Sequence, residues 1–392
     1  MVPSARAVGL AEVLRRHGAA YLETHDLSVT KARAWRAILA CRTAALGGHV
    51  ETCTCCGTTR HVYHSCRNRH CPLCQTRAKE TWLAQRRGEL LPVPYFHLVF
   101  TLPHDLNGFI GSCPRLIYET LFAAVSATLT EFAANARWLG GLPAFSLVLH
   151  TWKQDLGRHV HVHALMAGGA LSLSGDWMRT KRGFLFPVKA LSKVFRGKFL
   201  AALKLARDNG TPLPGQGFTD QAWRDLIARL HAHEWVVYAK QPLGGPVQVL
   251  EYLGRYTHRV AISNERIVGM DEDSVSFRVR DSAHGNRRRT LRLPAETFID
   301  RFLLHVLPNG FKRIRHYGLL GPASKARKLA QARAALSVAP PDPVVVESVA
   351  AFMCRIERHA WMRCGHCGQG WFVPTAPIAV SKERLLQPRG PP

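Results

Sequence analysis

The stretch FSLVLHTWKQDLGRHVHVHALMAGG, residues 145–169, decides the fold. Two runs rich in β-branched and aromatic residues, 145–152 and 158–169, flank the turn-like KQDLG, the pattern of an antiparallel hairpin. In the second run His159, His161 and His163 alternate with Val160 and Val162. Alternate residues of a strand share a face, so the valines turn to the core and the imidazoles to the other side. Same-face Cα atoms lie about 6.8 Å apart, so two imidazoles can lean onto one ion; three would span about 13.5 Å, too far for one. A third ligand must then come from another element. His97, His150, Gln154 and Glu251 are candidates, and the residues leave the choice open. The plainer account of one His-x-His is a half-exposed strand with a polar face.

Outward from the hairpin, VPYFHLVFTLP (93–103) reads as a strand and 114–135 as a helix. A basic helix at about 188–207 gathers Leu191, Val194, Phe195, Phe199 and Ala202 on one face. Thr219 caps the next helix, 234–240 is a strand, Val260 to Leu293 is a strand meander, and a last basic helix covers 321–336. Residues 1–46 are helical, with Leu10, Val13 and Leu14 at helical spacing and a second segment from Ser28 to Leu46. Strands and helices alternate without a regular βα period. This predicts an α+β fold with a central antiparallel sheet flanked by helices, not a doubly wound sheet.

Lys+Arg total 53 against Asp+Glu 27, a net charge of +26 with pI ≈ 10.3. Such a field favours polyanions, nucleic acid first. No apolar run reaches the roughly 20 residues of a spanning helix, and MVPSARAVGLAEVLRRHG lacks a signal peptide's apolar core. The expectation is a cytoplasmic, nucleoid-associated protein without a membrane partner, whose eleven cysteines serve as metal ligands or thiols before disulfides. No G-x4-G-K-[ST] phosphate loop is present, and carboxylates are too scattered to nominate an integrase-like triad.

Cys53-x2-Cys56 and Cys71-x2-Cys74 are spaced to close a tetrahedral thiolate site on structural zinc. Cys55, Cys66, His61, His64 and His70 stand nearby, so the ligand set is not unique. Arg67 and Arg69 beside the second knuckle could reach phosphates. Cys364-x2-Cys367 is a lone knuckle with only Cys354, His359 and His366 near it.

In QVLEYLGRYTHRVAIS (248–263), Pro246 opens a helix on which Val247, Leu250 and Leu253 share a face. Tyr252 and Tyr256 point about 140° away from that face. A phenol off the core face can be a nucleophile, given help with its pKa of about 10. A divalent ion polarising a phosphoryl oxygen is the complementary help.

Together SCRNRHCPLCQ, PVPYFHLVFTLPH, HVHVHALMAGGALS, EYLGRYTHRVAISNERI and RFLLHVLPNGFKRIRHYGLLG cover residues 40–320, and the chain resembles the HUH-type, two-tyrosine rolling-circle transposases of bacterial insertion sequences. The resemblance implies an N-terminal helical/zinc-ribbon module followed by an HUH endonuclease-type domain: helices in 1–46, a zinc module in 47–90, the catalytic domain in 91–320, and a basic helix, linker and Cys-containing tail in 321–392. It makes His161 and His163 the pair for Mg2+ or Mn2+, and Tyr252 and Tyr256 the nucleophiles forming 5′-phosphotyrosine links. Cys53, Cys56, Cys71 and Cys74 become the zinc module, and single-stranded element ends and target DNA the partners. DNA contacts are expected from Arg67, Arg69, Arg255, Arg259, Arg313 and Arg315. Val160 stands where the family commonly has Pro. Competing readings are a rolling-circle replication initiator or relaxase with the same chemistry, and a zinc-ribbon DNA-binding protein without catalysis.

Overall fold

The computed structural model describes residues 8–181, 185–211, 218–240, 254, 261–281, 285, 287–341, 347–355 and 361–381. The expected tyrosine helix, with Glu251, Tyr252, Arg255, Tyr256 and Arg259, lies outside them. The helices are α1 (Leu10–Thr24), α2 (Val29–Ala40), α3 (Gln75–Arg87), α4 (Asn107–Ser112), α5 (Pro114–Ala134), α6 (Val188–Asp208), α7 (Asp220–Ala232), α8 (Ala295–Leu303), α9 (Lys325–Ala335) and α10 (Val349–Arg355). The strands are β1 (Gly48–Cys53), β2 (Thr59–Tyr63), β3 (Tyr95–Thr101), β4 (Leu142–Trp152), β5 (Arg158–Leu171), β6 (Trp177–Arg179), β7 (Val237–Lys240), β8 (Ile267–Met270), β9 (Ser274–Asp281), β10 (Arg287–Pro294), β11 (Ile314–Gly318) and β12 (Phe372–Ile378).

The chain divides into two compact units. One, the sheet unit, takes residues 85–257 and 307–343. Its antiparallel sheet runs β11-β4-β5-β3-β7, with β6 on β5. Period two sorts the side chains as expected. Phe96, Leu98 and Phe100 of β3, Phe145, Leu147 and Leu149 of β4, and Val160 and Val162 of β5 enter one core with Leu121 and Phe122 of α5 and Phe195 and Phe199 of α6. Each such side chain contributes about 1.5–3 kcal/mol by leaving water. By length and composition α5 could cross a membrane, contrary to the expectation that no such apolar run exists; most of its apolar stretch is buried inside the protein. The opposite sheet face carries the intervening residues, among them His97, Ser146, His150, His161 and His163.

The other, the cysteine unit, takes residues 1–84, 258–306 and 344–392. Leu10, Val13, Leu14 and Trp35 are fully buried where α1 meets α2. Tyr21 Oη donates to Asp300 Oδ1 of α8 at 2.6 Å. One sheet is β10-β9-β8; the other is β12-β1-β2. These segments do not follow the expected division at 46, 90 and 320. Gly48 to Cys53 pair with Ile378 to Phe372, so residues expected in a separate tail complete the sheet of the cysteine module. Strand pairing across so long a stretch leaves no mark in local composition.

Candidate metal centre

The hairpin places the imidazoles. Trp152 pairs with Arg158, which in uninterrupted register would set His150 opposite core-facing Val160. A register shift between His150 and Trp152 pairs His150 with His161 instead. Directly opposed residues share a face, and alternation with core-facing Leu149 likewise puts His150 on the histidine side; the register shift falls beyond it, toward the turn. Ring nitrogens of His150, His161 and His163 then lie within 4.8 Å of one another. His150 and His163 are buried.

The hydrogen bonds fix the tautomer of His161. His161 Nδ1 donates to the His159 carbonyl at 3.0 Å, which leaves a bare lone pair on Nε2 when the ring is neutral. That Nε2 lies 3.0 Å from His163 Nε2, also about the cis edge of an octahedral ion with bonds near 2.1 Å. His97 Nε2 meets His163 Nδ1 at 2.7 Å with the rings stacked, and so holds the far side of the His163 ring. Burial, followed by the charge of His159, pushes His161 down to about 4; burial and then His161 push His163 well below the usual range. Both are therefore neutral at pH 7, the state a metal ligand requires. His159 is not in this set: its ring centroid is 4.9 Å from that of His161, but its Nδ1 meets His104 Nε2 at 3.3 Å. Of the four candidate third ligands, His150 joins the pair, His97 supports it from behind, Gln154 is exposed in the turn, and Glu251 lies outside the described residues.

Several expected DNA contacts have other occupations. Arg315 pairs with Glu119 at 2.6 Å and lies over the rings of Phe122 and Phe311. Arg313 is buried. Tyr317 stacks on Phe145. His316 Nε2 accepts from Arg86 at 2.8 Å, so its Nδ1 carries the proton and donates to Ser146 Oγ at 2.7 Å. Arg67 is exposed and Arg69 half-buried.

Burial, then the charges of Arg86 and Lys325, push His316 from the ordinary 6.5 down to about 4. Between those values the unfolded chain binds a proton that the folded ring refuses. The resulting stabilisation is complete above pH 6.5 and is lost as pH falls toward 4. At pH 5 the loss is about 2 kcal/mol. His316→Gln is expected to narrow the gap between urea-unfolding free energies at pH 7 and pH 5 by that amount; an unchanged gap would assign it to other groups.

The cysteines expected in one site separate into two. Cys71 and Cys74 join Cys41 and Cys66, whereas Cys53 and Cys56 join Cys364 and Cys367; within each set the sulfurs lie within 4.8 Å of one another. Cys41, at the end of α2, was missed because it belongs to no knuckle.

Neutral imidazoles on an antiparallel sheet, thiolate centres and a charge of +26 define the class: a metal-using protein of nucleic-acid chemistry. Comparison with known proteins narrows it. A profile described as "Transposase zinc-binding domain" matches residues 13–102, and one described as "Putative transposase" matches 144–328. The chain is 45% identical over 376 residues to "Putative transposase y4qJ" of Sinorhizobium fredii, covering 93% of this chain and 94% of that one. It is 27% identical over 313 residues to the transposase for insertion sequence element IS801 of Pseudomonas savastanoi pv. phaseolicola, covering 78% and 74%. A solved conjugative relaxase, TrwC in complex with oriT DNA, aligns over 64% of this chain and 95% of that one at 11% identity, with a TM-score of only 0.25. The chain belongs to the HUH-type rolling-circle transposases of bacterial insertion sequences. It is an α+β DNA strand transferase that carries structural zinc.

Proposed function

We propose that His150, His161 and His163 hold one divalent ion, and that Tyr252 and Tyr256 cut a single DNA strand at the element ends. The convergence of the three ring nitrogens within 4.8 Å supports this most strongly. When bound, the ion polarises a non-bridging oxygen of the scissile phosphate. A tyrosine Oη attacks the phosphorus, the Tyr–O–P ester forms and the P–O3′ bond breaks. The phenolic proton leaves to solvent, and the departing 3′-oxygen takes up a proton to become a free hydroxyl. The phosphodiester energy is kept in the 5′-phosphotyrosine link, so a later 3′-hydroxyl can reverse the step without a nucleotide triphosphate. Two phenols permit two such links in one chain, as strand transfer requires.

All three donors are imidazoles, which suit Mn2+ better than the oxygen-seeking Mg2+. His97 positions His163, so His97→Ala is expected to weaken Mn2+ binding about 10–100-fold in calorimetric titration. Unchanged affinity would remove His97 from the site. Arg255 and Arg259 flank the tyrosines and are proposed to hold the flanking phosphates. Arg287 and Arg288 on β10 are exposed and suited to the strand's backbone. A basic protein of this kind is proposed to reside with the nucleoid.

The test is incubation with a single-stranded oligonucleotide carrying an element end, with Mn2+ or Mg2+. A covalent protein–DNA adduct should appear on a denaturing gel only with the ion. Binding without cleavage or adduct would favour a DNA-binding protein without this chemistry.

A further inference from the structure

The five residues CTCCG (53–57) recur in pattern as CGHCG (364–368), each a C-x2-C-G. The second zinc-type knuckle of the early module, CPLC (71–74), is followed by Gln75 instead. The two C-x2-C-G segments also share a backbone. Gly57 has φ +71° and Gly368 φ +68°, the left-handed region that glycine enters without penalty. Gly57 N–H donates to the Cys53 carbonyl at 3.2 Å, and Gly368 N–H to the Cys364 carbonyl at 2.9 Å. Twin turns of this kind are the two halves of a zinc ribbon.

The structure brings the halves together. Cys53 Sγ lies 3.7 Å from Cys367 Sγ, and Cys56 Sγ lies 3.7 Å from Cys364 Sγ. A disulfide needs about 2.05 Å. A tetrahedral zinc with bonds of about 2.3 Å sets its sulfurs about 3.8 Å apart. Backbone N–H groups already point at the sulfurs, as thiolates require: Cys55 donates to Cys53 Sγ at 3.4 Å and Gly370 to Cys367 Sγ at 3.3 Å. The halves are also joined beyond the sulfurs. Thr54 N–H donates to the Trp371 carbonyl at 2.9 Å, and Arg60 donates to the Trp361 carbonyl at 2.6 Å while lying 4.0 Å over the Phe372 ring.

We infer that Cys53, Cys56, Cys364 and Cys367 form a second structural zinc centre, and that zinc there fastens residues 361–381 to the β1–β2 hairpin. The other centre, Cys41, Cys66, Cys71 and Cys74, lies wholly within the matched zinc-binding region 13–102. Cys364 and Cys367 lie outside both matched regions, so the family comparison does not assign them. Neither half can bind zinc with four sulfurs alone. The metal therefore senses whether the two distant segments are docked, and it releases them together.

The test uses the full zinc-loaded chain. Metal analysis should give about two zinc ions per chain, each with about four sulfurs at about 2.3 Å by X-ray absorption. Cysteine alkylation followed by peptide mass spectrometry should find Cys53, Cys56, Cys364 and Cys367 protected while exposed Cys55 and Cys354 react. A chelator should unmask all four ligands at one rate. The double substitution Cys364→Ser/Cys367→Ser should lower the content to about one zinc and expose Cys53 and Cys56. Gly370→Ala keeps every thiol, but its Cβ would stand 2.4 Å from Cys53 Sγ; it should speed chelator release from this centre alone. One zinc in the unaltered chain, two in the double variant, or alkylation of Cys364 and Cys367 while Cys53 and Cys56 stay protected would each overturn the inference. A positive result does not depend on the tyrosine chemistry, because none of these readouts measures cleavage.

Discussion

Alanine at His150, His161 or His163 is expected to lower strand cleavage by on the order of 10³-fold, the loss of several kcal/mol of charge stabilisation at the phosphate. The assay is adduct formation on a single-stranded element end with saturating Mn2+. His159→Ala is the control. It sits on the same strand and the same face, but pairs with His104, outside the three converging rings. It should cleave at close to the unaltered rate. His150 and His163 are buried, so alanine there also leaves space in the protein. A melting curve and zinc analysis of each variant separate loss of fold from loss of the ion. If His150→Ala cleaves normally while His161→Ala and His163→Ala do not, the third ligand is another group. If all three cleave normally, these imidazoles have no part in the chemistry.

Phenylalanine at both Tyr252 and Tyr256 should abolish the covalent protein–DNA link, since no Oη remains to form the ester. Each single Phe substitution should leave a link at the other phenol and interrupt a different step of strand transfer. Removal of a hydroxyl hardly alters the shape of an aromatic side chain, so Mn2+ affinity and oligonucleotide binding should stay within about twofold of the unaltered chain. Peptide mapping of the adduct supplies the decisive reading. A phosphotyrosine on any other tyrosine, or an adduct that survives the double substitution, would move the nucleophile elsewhere.

The hairpin was legible because it is local: alternating Val160 and Val162 enter the core, and β4 and β5 close around the expected loop. The same holds for α6, whose Leu191, Phe195 and Phe199 are all buried, and for α7, where Thr219 Oγ1 accepts from Ala222 N–H at 3.1 Å. His150 was legible as one of four candidates for a third ligand, and alternation with core-facing Leu149 gives its face, but the choice among the four was not legible. It depends on cross-strand register, and nothing in LHTWKQDLGRHV announces the shift between His150 and Trp152. The thiolate sets were misread for another reason. Proximity in sequence paired Cys53-x2-Cys56 with Cys71-x2-Cys74, whereas a glycine after the second cysteine marked Cys364-x2-Cys367 as the true twin. The arginine-rich segment around 311–318 looked like phosphate-binding surface. Glu119 and Phe122, which engage Arg315 together with the segment's own Phe311, come from α5, so composition alone could not show them.

The pairing of β1 with β12 also sets an order of events on the ribosome. About 320 residues separate Cys53 from its partner Phe372. At about 5–20 residues per second, β1 waits roughly 15–60 s for its neighbour to emerge. The β1–β2 hairpin thus spends that time with an open edge able to recruit a strand from a neighbouring nascent chain. Faster translation, or a holdase present during this interval, should raise the yield of correctly assembled protein.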